Sequence, residues 1–476
     1  MSENDKRKPS SRITRSMTKK LKLAELNMTK LMDLDDDCLL HLLRFFDIFE
    51  LIQLRGICCR LDNLILQSRK RFGIIYLYYY YNQLRFWKEK ILEILEFVGP
   101  QVKILDFDWI PSDHIEDKSI FFYCIAKHFT ILENFKYFSK TNMDDKTIQK
   151  FAPIVKRLKS LTIISHQIDD NLSDCFLMSE SLEELKFESW NRKITKKFFE
   201  NISNLKSLTI NECWNLTSDC YVEILKNNLK LKKLKIKVNS VDYYNYHPIL
   251  LKGSHNLVNF IVNNLCEIKN LSFDVLSSNV SLLGDLPNLK ILEIHQRSRN
   301  ESDEPWISRE LNNLLEKLTE KNIIEELYIT GFNSQINVDL IGKLTSLNKL
   351  SLYGTQSLGE SDLIKLQTLE ELEMLAIENL KKSTSVFCLL EPLKNLEKLD
   401  LQDTNVTVDF FKELIPILNR LRNRPKLNLQ VNRIHREYRA YQVFKDYKNI
   451  LHVDYNDDDT FASDPDSDEN TDSDDY

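Results

Sequence analysis

A six-residue pattern, L-x-x-L-x-L, recurs along most of this 476-residue chain and restricts what it can fold into. Clear copies are LEELKF at Leu182, LKSLTI at Leu205, LKKLKI at Leu231, LKILEI at Leu289, IEELYI at Ile324, LNKLSL at Leu347, LEELEM at Leu369 and LEKLDL at Leu396. Weaker copies begin at Phe72, Val102, Leu132, Leu158, Leu257 and Arg424. Successive starts lie roughly 27 residues apart on average, a repeat-protein period. The last two apolar positions of each copy alternate, so they share one side of a short strand while their neighbours project to the other. The remaining residues of a unit suffice for a loop, an amphipathic helix and a return. Ser218–Asn227 (SDCYVEILKN) has that helical spacing, with Cys220, Ile224 and Leu225 on one face. One unit alone cannot cover its apolar side, so neighbours must stack. The chain has only 9 Gly and 11 Pro, few for an all-β protein made of tight turns, which favours strand–helix units.

The pattern resembles the leucine-rich repeat, and LKSLTINECWNLT (Leu205 to Thr217) is similar to its cysteine-containing subtype, L-x-x-L-x-L-x-x-C-x-x-L-T. The resemblance implies an α/β solenoid over residues 71–455, with parallel strands on a concave face and helices on a convex one. Arg433 to Tyr447 reads as a helix and ILHVDY (Ile450 to Tyr455) as a last strand, closing the end of the stack.

Between Leu31 and Leu66 the periodicity becomes purely helical. Leu39, Leu42, Leu43 and Phe46 stand at i, i+3, i+4 and i+7, and Asp35 to Asp37 supply a cap and an acidic first turn. A second stripe, Leu51, Leu54, Cys58, Leu61 and Ile65, is split by Gly56 into two helices. Three short helices make too small a core to stand without packing on something else. LDDDCLLHLLRFFDIFELIQLRGICCRLDNLI (Leu34 to Ile65) is similar to the F-box family pattern, which places a domain at residues 28–70. Asp35 stands where that family usually has proline and Leu61 where it has tryptophan. The resemblance implies docking on a Skp-type linker and, through it, a cullin, with Leu34, Asp35, Leu39, Leu42, Leu43, Phe46, Leu51, Leu54, Ile57, Cys58 and Leu61 as linker-binding positions. It also implies that the repeats hold a protein substrate for ubiquitination.

Charge is segregated. Residues 1–22 carry eight Lys/Arg against Glu3 and Asp5, while residues 456–476 carry ten carboxylates and no base. These stretches, 1–27 and 456–476, read as disordered basic and acidic segments outside the folded body. They leave open a second reading, a nuclear acidic-tail repeat protein that binds histones or other basic proteins. Nine cysteines without paired spacing suit a cytoplasmic or nuclear chain, and no run is long and apolar enough to span a membrane.

Catalytic signatures are missing. GTQSLGES (Gly354 to Ser361) approaches a phosphate-binding loop, but Glu360 stands where its lysine must be. No C-x-x-C, H-E-x-x-H or G-x-S-x-G occurs, so the expectation is a non-enzymatic adaptor without cofactor, metal, nucleic acid or membrane. The alternating residues of each copy are expected on the concave face. They include Lys186, Thr209, Lys233, Lys235, Lys237, His295, Tyr328 and Tyr353 as substrate-binding candidates, with Asn259, Ile261 and Asn263 and with Glu371, Glu373 and Leu375 from two further copies. The lysine run 233, 235, 237 points to an acidic or phosphorylated ligand.

Overall fold

The structure is a computed structural model that describes residues 31–76, 91–107, 118–139, 143–237, 254–431 and 449–455, apart from short breaks at 166, 178, 190–192, 214, 275–278, 297–304, 333–335, 356, 379, 402–403, 405 and 422–423. The basic segment 1–27, the acidic segment 456–476 and the expected helix 433–447 lie outside the described residues. The chain divides into two compact units: residues 1–167 with 174–182, and residues 168–173 with 183–476.

The first unit opens with three short helices, α1 (Asp36–Leu43), α2 (Ile48–Gln53) and α3 (Cys59–Ser68). Each boundary has a local cause. Asp35 caps α1 by accepting from the Cys38 amide at 2.7 Å, and Asp47 and Glu50 form a reciprocal capping box on α2. Gly56, at φ +81°, turns the chain before α3, and its amide is held by Asp62 at 2.8 Å. Parallel strands β1 (Ile74–Tyr76), β2 (Ile104–Phe107), β3 (Asn134–Ser139) and β4 (Ser160–Ser165) follow. Between them run α4 (Ile91–Val98), α5 (Lys118–His128) and α6 (Asp145–Val155). Phe122 meets Tyr137 and Phe151 edge-on at 5.3 and 5.1 Å, so strand and helix share one aromatic core.

The helical trio packs on the first repeat. Arg55 lies over the Phe97 ring at 5.5 Å, and Arg69 donates to the Phe97 carbonyl. That contact supplies the support which so small a helical core lacks by itself.

The second unit holds β5 (Glu184–Ser189), β6 (Ser207–Asn211), β7 (Lys233–Lys237), β8 (Asn270–Asp274), β9 (Ile291–His295) and β10 (Glu326–Thr330). It continues with β11 (Lys349–Tyr353), β12 (Met374–Ile377), β13 (Lys398–Asp400), β14 (Leu427–Val431) and β15 (Leu451–Tyr455). Each pairs in parallel with the next in sequence order. Helices or 3-10 turns return the chain, among them α7 (Ser218–Lys226), α8 (Ser254–Asn264) and α9 (Pro305–Lys321). Within each unit this is the architecture of an α/β repeat solenoid. Leu185, Leu208, Leu234, Leu271, Leu292, Leu327, Leu350, Leu375, Leu399 and Leu429 occupy one register row and are all buried. That row is the hydrophobic seam which stacking was required to create.

Three expectations are corrected. Residues 254–264 form α8, so Asn259, Ile261 and Asn263 lie on a helix, and the strand of that repeat is NLSFD, Asn270–Asp274. An apolar run of that length fits either state by pattern alone, and tertiary pairing decides. In the copy starting at Leu369 the register slips by three residues. Leu375 and Ile377 enter the core, Met374 and Ala376 take the outward positions, and Glu371 and Glu373 precede the strand. On α7 the buried face is Tyr221, Ile224 and Leu225, with Cys220 only half-buried beside the Thr217 cap.

Candidate functional site

Outward residues of the second unit line up in rows because parallel neighbours are in exact repeat register. One row reads Lys186, Thr209, Lys235, Ser272, Glu293, Tyr328, Ser351, Ala376, Asp400 and Gln430. Long and small side chains are mixed along it, and this has a geometric consequence. Parallel strands sit about 4.8 Å apart, so a long side chain can reach its counterpart two strands away only across a small residue. Lys235 on β7 donates to Glu293 on β9 at 3.2 Å across Ser272. Tyr353 on β11 donates to Asp400 on β13 at 2.7 Å, with Ala376 on the intervening strand.

Glu293 is the hub. Lys237 approaches it at 2.7 Å and His295 Nε2 at 2.9 Å, in addition to Lys235. Burial by itself would raise the Glu293 pKa, but the close approach of His295 and Lys237 outweighs it and holds the carboxyl well below its usual range. Lys237 shows the opposing cost: burial lowers its pKa despite the help of Glu293. The several donors around Glu293 favour its anion, and the desolvation of Lys237 offsets part of that gain.

Beside the hub is a cavity of about 310 Å³ lined by residues including Lys233, Lys235, Asn270, Ser272, Glu293 and Tyr328. Tyr328 donates to Glu326 at 2.8 Å, and Glu326 also binds Lys349 at 2.8 Å. The cavity is thus of mixed character, with both charge signs beside the apolar Leu234, Leu271 and Ile291, and its wall is stiffened by pairs. Of the sequence candidates, Lys233, Lys235 and Tyr328 line it, while Lys237 and His295 brace it through Glu293. Lys186 is exposed on β5, Thr209 is buried on β6 and Tyr353 is engaged by Asp400, so these three belong elsewhere on the face. Lys235 and Lys237 are ion-paired rather than waiting for an acidic ligand, as the run of three had suggested. Ser272, Asn270 and the bridging role of Glu293 were missed because the repeat at 257 was placed one segment too early. Counting from NLSFD puts Ser272 between Lys235 and Glu293.

The N-terminal helices show a second surface. Leu39, Leu43, Leu51 and Leu61 are buried and form the small core with Ile48, Phe49, Ile52, Leu64 and Ile65. Leu54, Cys58 and Phe46 are half-buried. Leu34, Leu42 and Ile57 remain exposed, with Leu31 and Phe45, the last at 76%. Asp35 is exposed as well, and its carboxyl is held below the usual range mainly by the Cys38 amide it caps. Arg60 ties the approach to α1 by binding Asp36 at 2.6 Å and the carbonyls of Met32 and Leu34, both at 2.7 Å.

The buried thiols are poor nucleophiles. Burial pushes Cys124 up to about 11 and Cys175 up to about 12, and Cys213 rises further for the same reason. Among the described residues no helix is long and apolar enough to cross a membrane.

No family model matches the chain, and no curated protein matches it. Among solved structures it is similar to the crystal structure of the Rad7 and Elc1 complex in yeast, at 15% identity, covering 89% of this chain and 94% of that chain, with a TM-score of 0.46. The repeat architecture rests on the strand ladder itself and not on this distant likeness.

Proposed function

We propose that the chain is a substrate-recognition adaptor of a Skp–cullin–F-box ubiquitin ligase, without catalytic chemistry of its own. Its three N-terminal helices would bind the Skp-type linker, and its sheet face would hold a protein substrate. The observation that carries this reading is the division of labour within residues 31–66. Leu39, Leu43, Leu51 and Leu61 close the helical core, whereas Leu34, Leu42, Phe45 and Ile57 stay exposed around it. Apolar side chains that a small core does not use are what a docking partner buries. The adaptor then contributes by positioning alone, bringing a bound protein to the ubiquitin-carrying subunits.

The test separates surface from core. Leu42→Asp with Phe45→Asp places charge on exposed positions and should leave the melting temperature near wild type while abolishing capture of a recombinant Skp-type linker. Normal capture by that double variant sinks the assignment. The carboxylate-rich segment 456–476 favours a second reading, a histone or basic-protein binder with no ligase role. Copurification decides between them: linker and cullin support the adaptor, histones alone support the binder.

A further inference from the structure

One line of residues along the second unit belongs to neither surface described above. The residue immediately before each strand from β5 to β13 is joined to its neighbours by a backbone ladder. Lys206 donates to the Glu183 carbonyl at 2.7 Å, Lys232 to Lys206 at 2.8 Å, Lys269 to Lys232 at 2.8 Å and Lys290 to Lys269 at 2.8 Å. The ladder continues from Lys290 through Glu325 and Asn348 to Glu373 and Glu397. The leading edge of the sheet therefore carries four consecutive lysines and, further along, a carboxylate-rich stretch.

Strand spacing puts the four ammonium-bearing positions about 4.8 Å apart along the edge. All four lysines are exposed. The outer two are neutralised, Lys206 by Glu183 at 2.6 Å and Lys290 by Glu325. Among the described residues nothing pairs with the inner two, Lys232 and Lys269, nor with the exposed Lys233 beside them. Like charges directly opposite one another on adjacent strands are destabilising, so an anion laid along this edge would relieve repulsion as well as gain attraction.

We infer that the leading-edge lysines Lys206, Lys232, Lys269 and Lys290 form a docking surface for an acidic segment, and that the occupant is this chain's own stretch 456–476. Two observations select that occupant. Its ten carboxylates, with no Lys or Arg, complement a linear row of cations. Its reach also fits: β15 ends at Tyr455, and β7 stands eight strands away in the ladder, roughly 38 Å. Twenty-one extended residues span roughly 70 Å, enough for the segment to lie along the edge with slack. The contact is independent of the ligase reading. An acidic partner seeking the same lysines would have to displace the segment first.

The experiment is zero-length carbodiimide cross-linking of the full chain at low and high salt, with isotope-labelled and unlabelled chains mixed. The expected result is links from carboxylates of residues 457–475 to Lys206, Lys232, Lys233, Lys269 or Lys290 within one chain. They should disappear in about 0.5 M salt, where screening acts within a few ångströms. Lys232→Glu with Lys269→Glu changes two exposed residues. If the melting temperature holds, links to the remaining Lys206, Lys233 and Lys290 should still fall by about tenfold or more. Lys232→Gln with Lys269→Gln gives the same reading should charge reversal disturb folding. The proposal is overturned by links that lie mainly on the basic residues 6–22, by links that join labelled to unlabelled chains, or by an undiminished yield in the variants.

Discussion

Glu293 shows at the scale of one residue how the sheet face is held. It is three-quarters buried and receives Lys235, Lys237 and His295, so its anionic form is favoured in the fold. Glu293→Gln keeps the shape and removes the charge, leaving Lys237 buried without its counter-ion. A loss of about 1–3 kcal/mol is expected in denaturant unfolding, the range for an unsatisfied buried polar partner. An unchanged midpoint would mean that the lysines find other partners. The sign with pH follows from the depressed carboxyl. Its stabilisation is complete above the unfolded pKa of about 4.3 and is lost only as pH falls toward the lower folded value. The wild type should therefore lose more stability than Glu293→Gln on titration from pH 5 downward. Equal slopes for the two proteins would remove the hub from this account. The residue itself was visible in the sequence as an outward position. Its partners were not, because they depend on which segment supplies the strand between.

At the scale of elements, the turns between strands and helices decide whether neighbouring repeats stay in register. Asn228 is fully buried yet satisfied: it accepts from the Leu205 amide at 3.0 Å and donates to the carbonyls of Ile202 and Ile224 at 3.1 and 2.9 Å. It stitches the end of α7 to the previous repeat. Asn228→Ala orphans those backbone groups and should cost about 2–3 kcal/mol, read as a lower midpoint. A shift below half of that would mean water replaces the amide. Gly331, at φ +81°, closes β10 where an added Cβ would collide with the Gln296 carbonyl oxygen. Gly331→Ala should destabilise by about 2 kcal/mol or more, from both the dihedral and the clash.

For the whole molecule, the organisation into stacked repeats predicts that damage stays local. Each repeat is stabilised by its own core and its immediate neighbours, so a defect propagates weakly along the chain. Phe151→Ala opens the aromatic core shared by β3, α5 and α6 and should cost about 3–5 kcal/mol locally. Hydrogen exchange should then accelerate across residues 118–165 while strands from β9 onward keep wild-type protection. Uniform loss of protection would show instead that the chain opens as one cooperative body.

Local chemistry determined much of this protein before any tertiary structure was considered. The alternation within L-x-x-L-x-L sets a strand with one buried side, its period sets the repeat, and Asp35, Asp47 and Gly56 punctuate the N-terminal helices. These are interactions within a few residues, and a sequence displays them directly. Three features waited for the fold. Residues 254–264 became a helix and 270–274 the strand, because pairing with β7 and β9 outweighed a run that fits either state. The copy at 369 slid by three residues so that Leu375 could join the leucine row. The Lys235–Glu293 bridge joins residues 58 positions apart, and the leading-edge lysines come from four separate repeats. Such contacts depend on summed loop lengths and lateral register over several repeats. A single misplaced strand shifts every pairing beyond it, and for that reason the sheet face belongs to the tertiary structure.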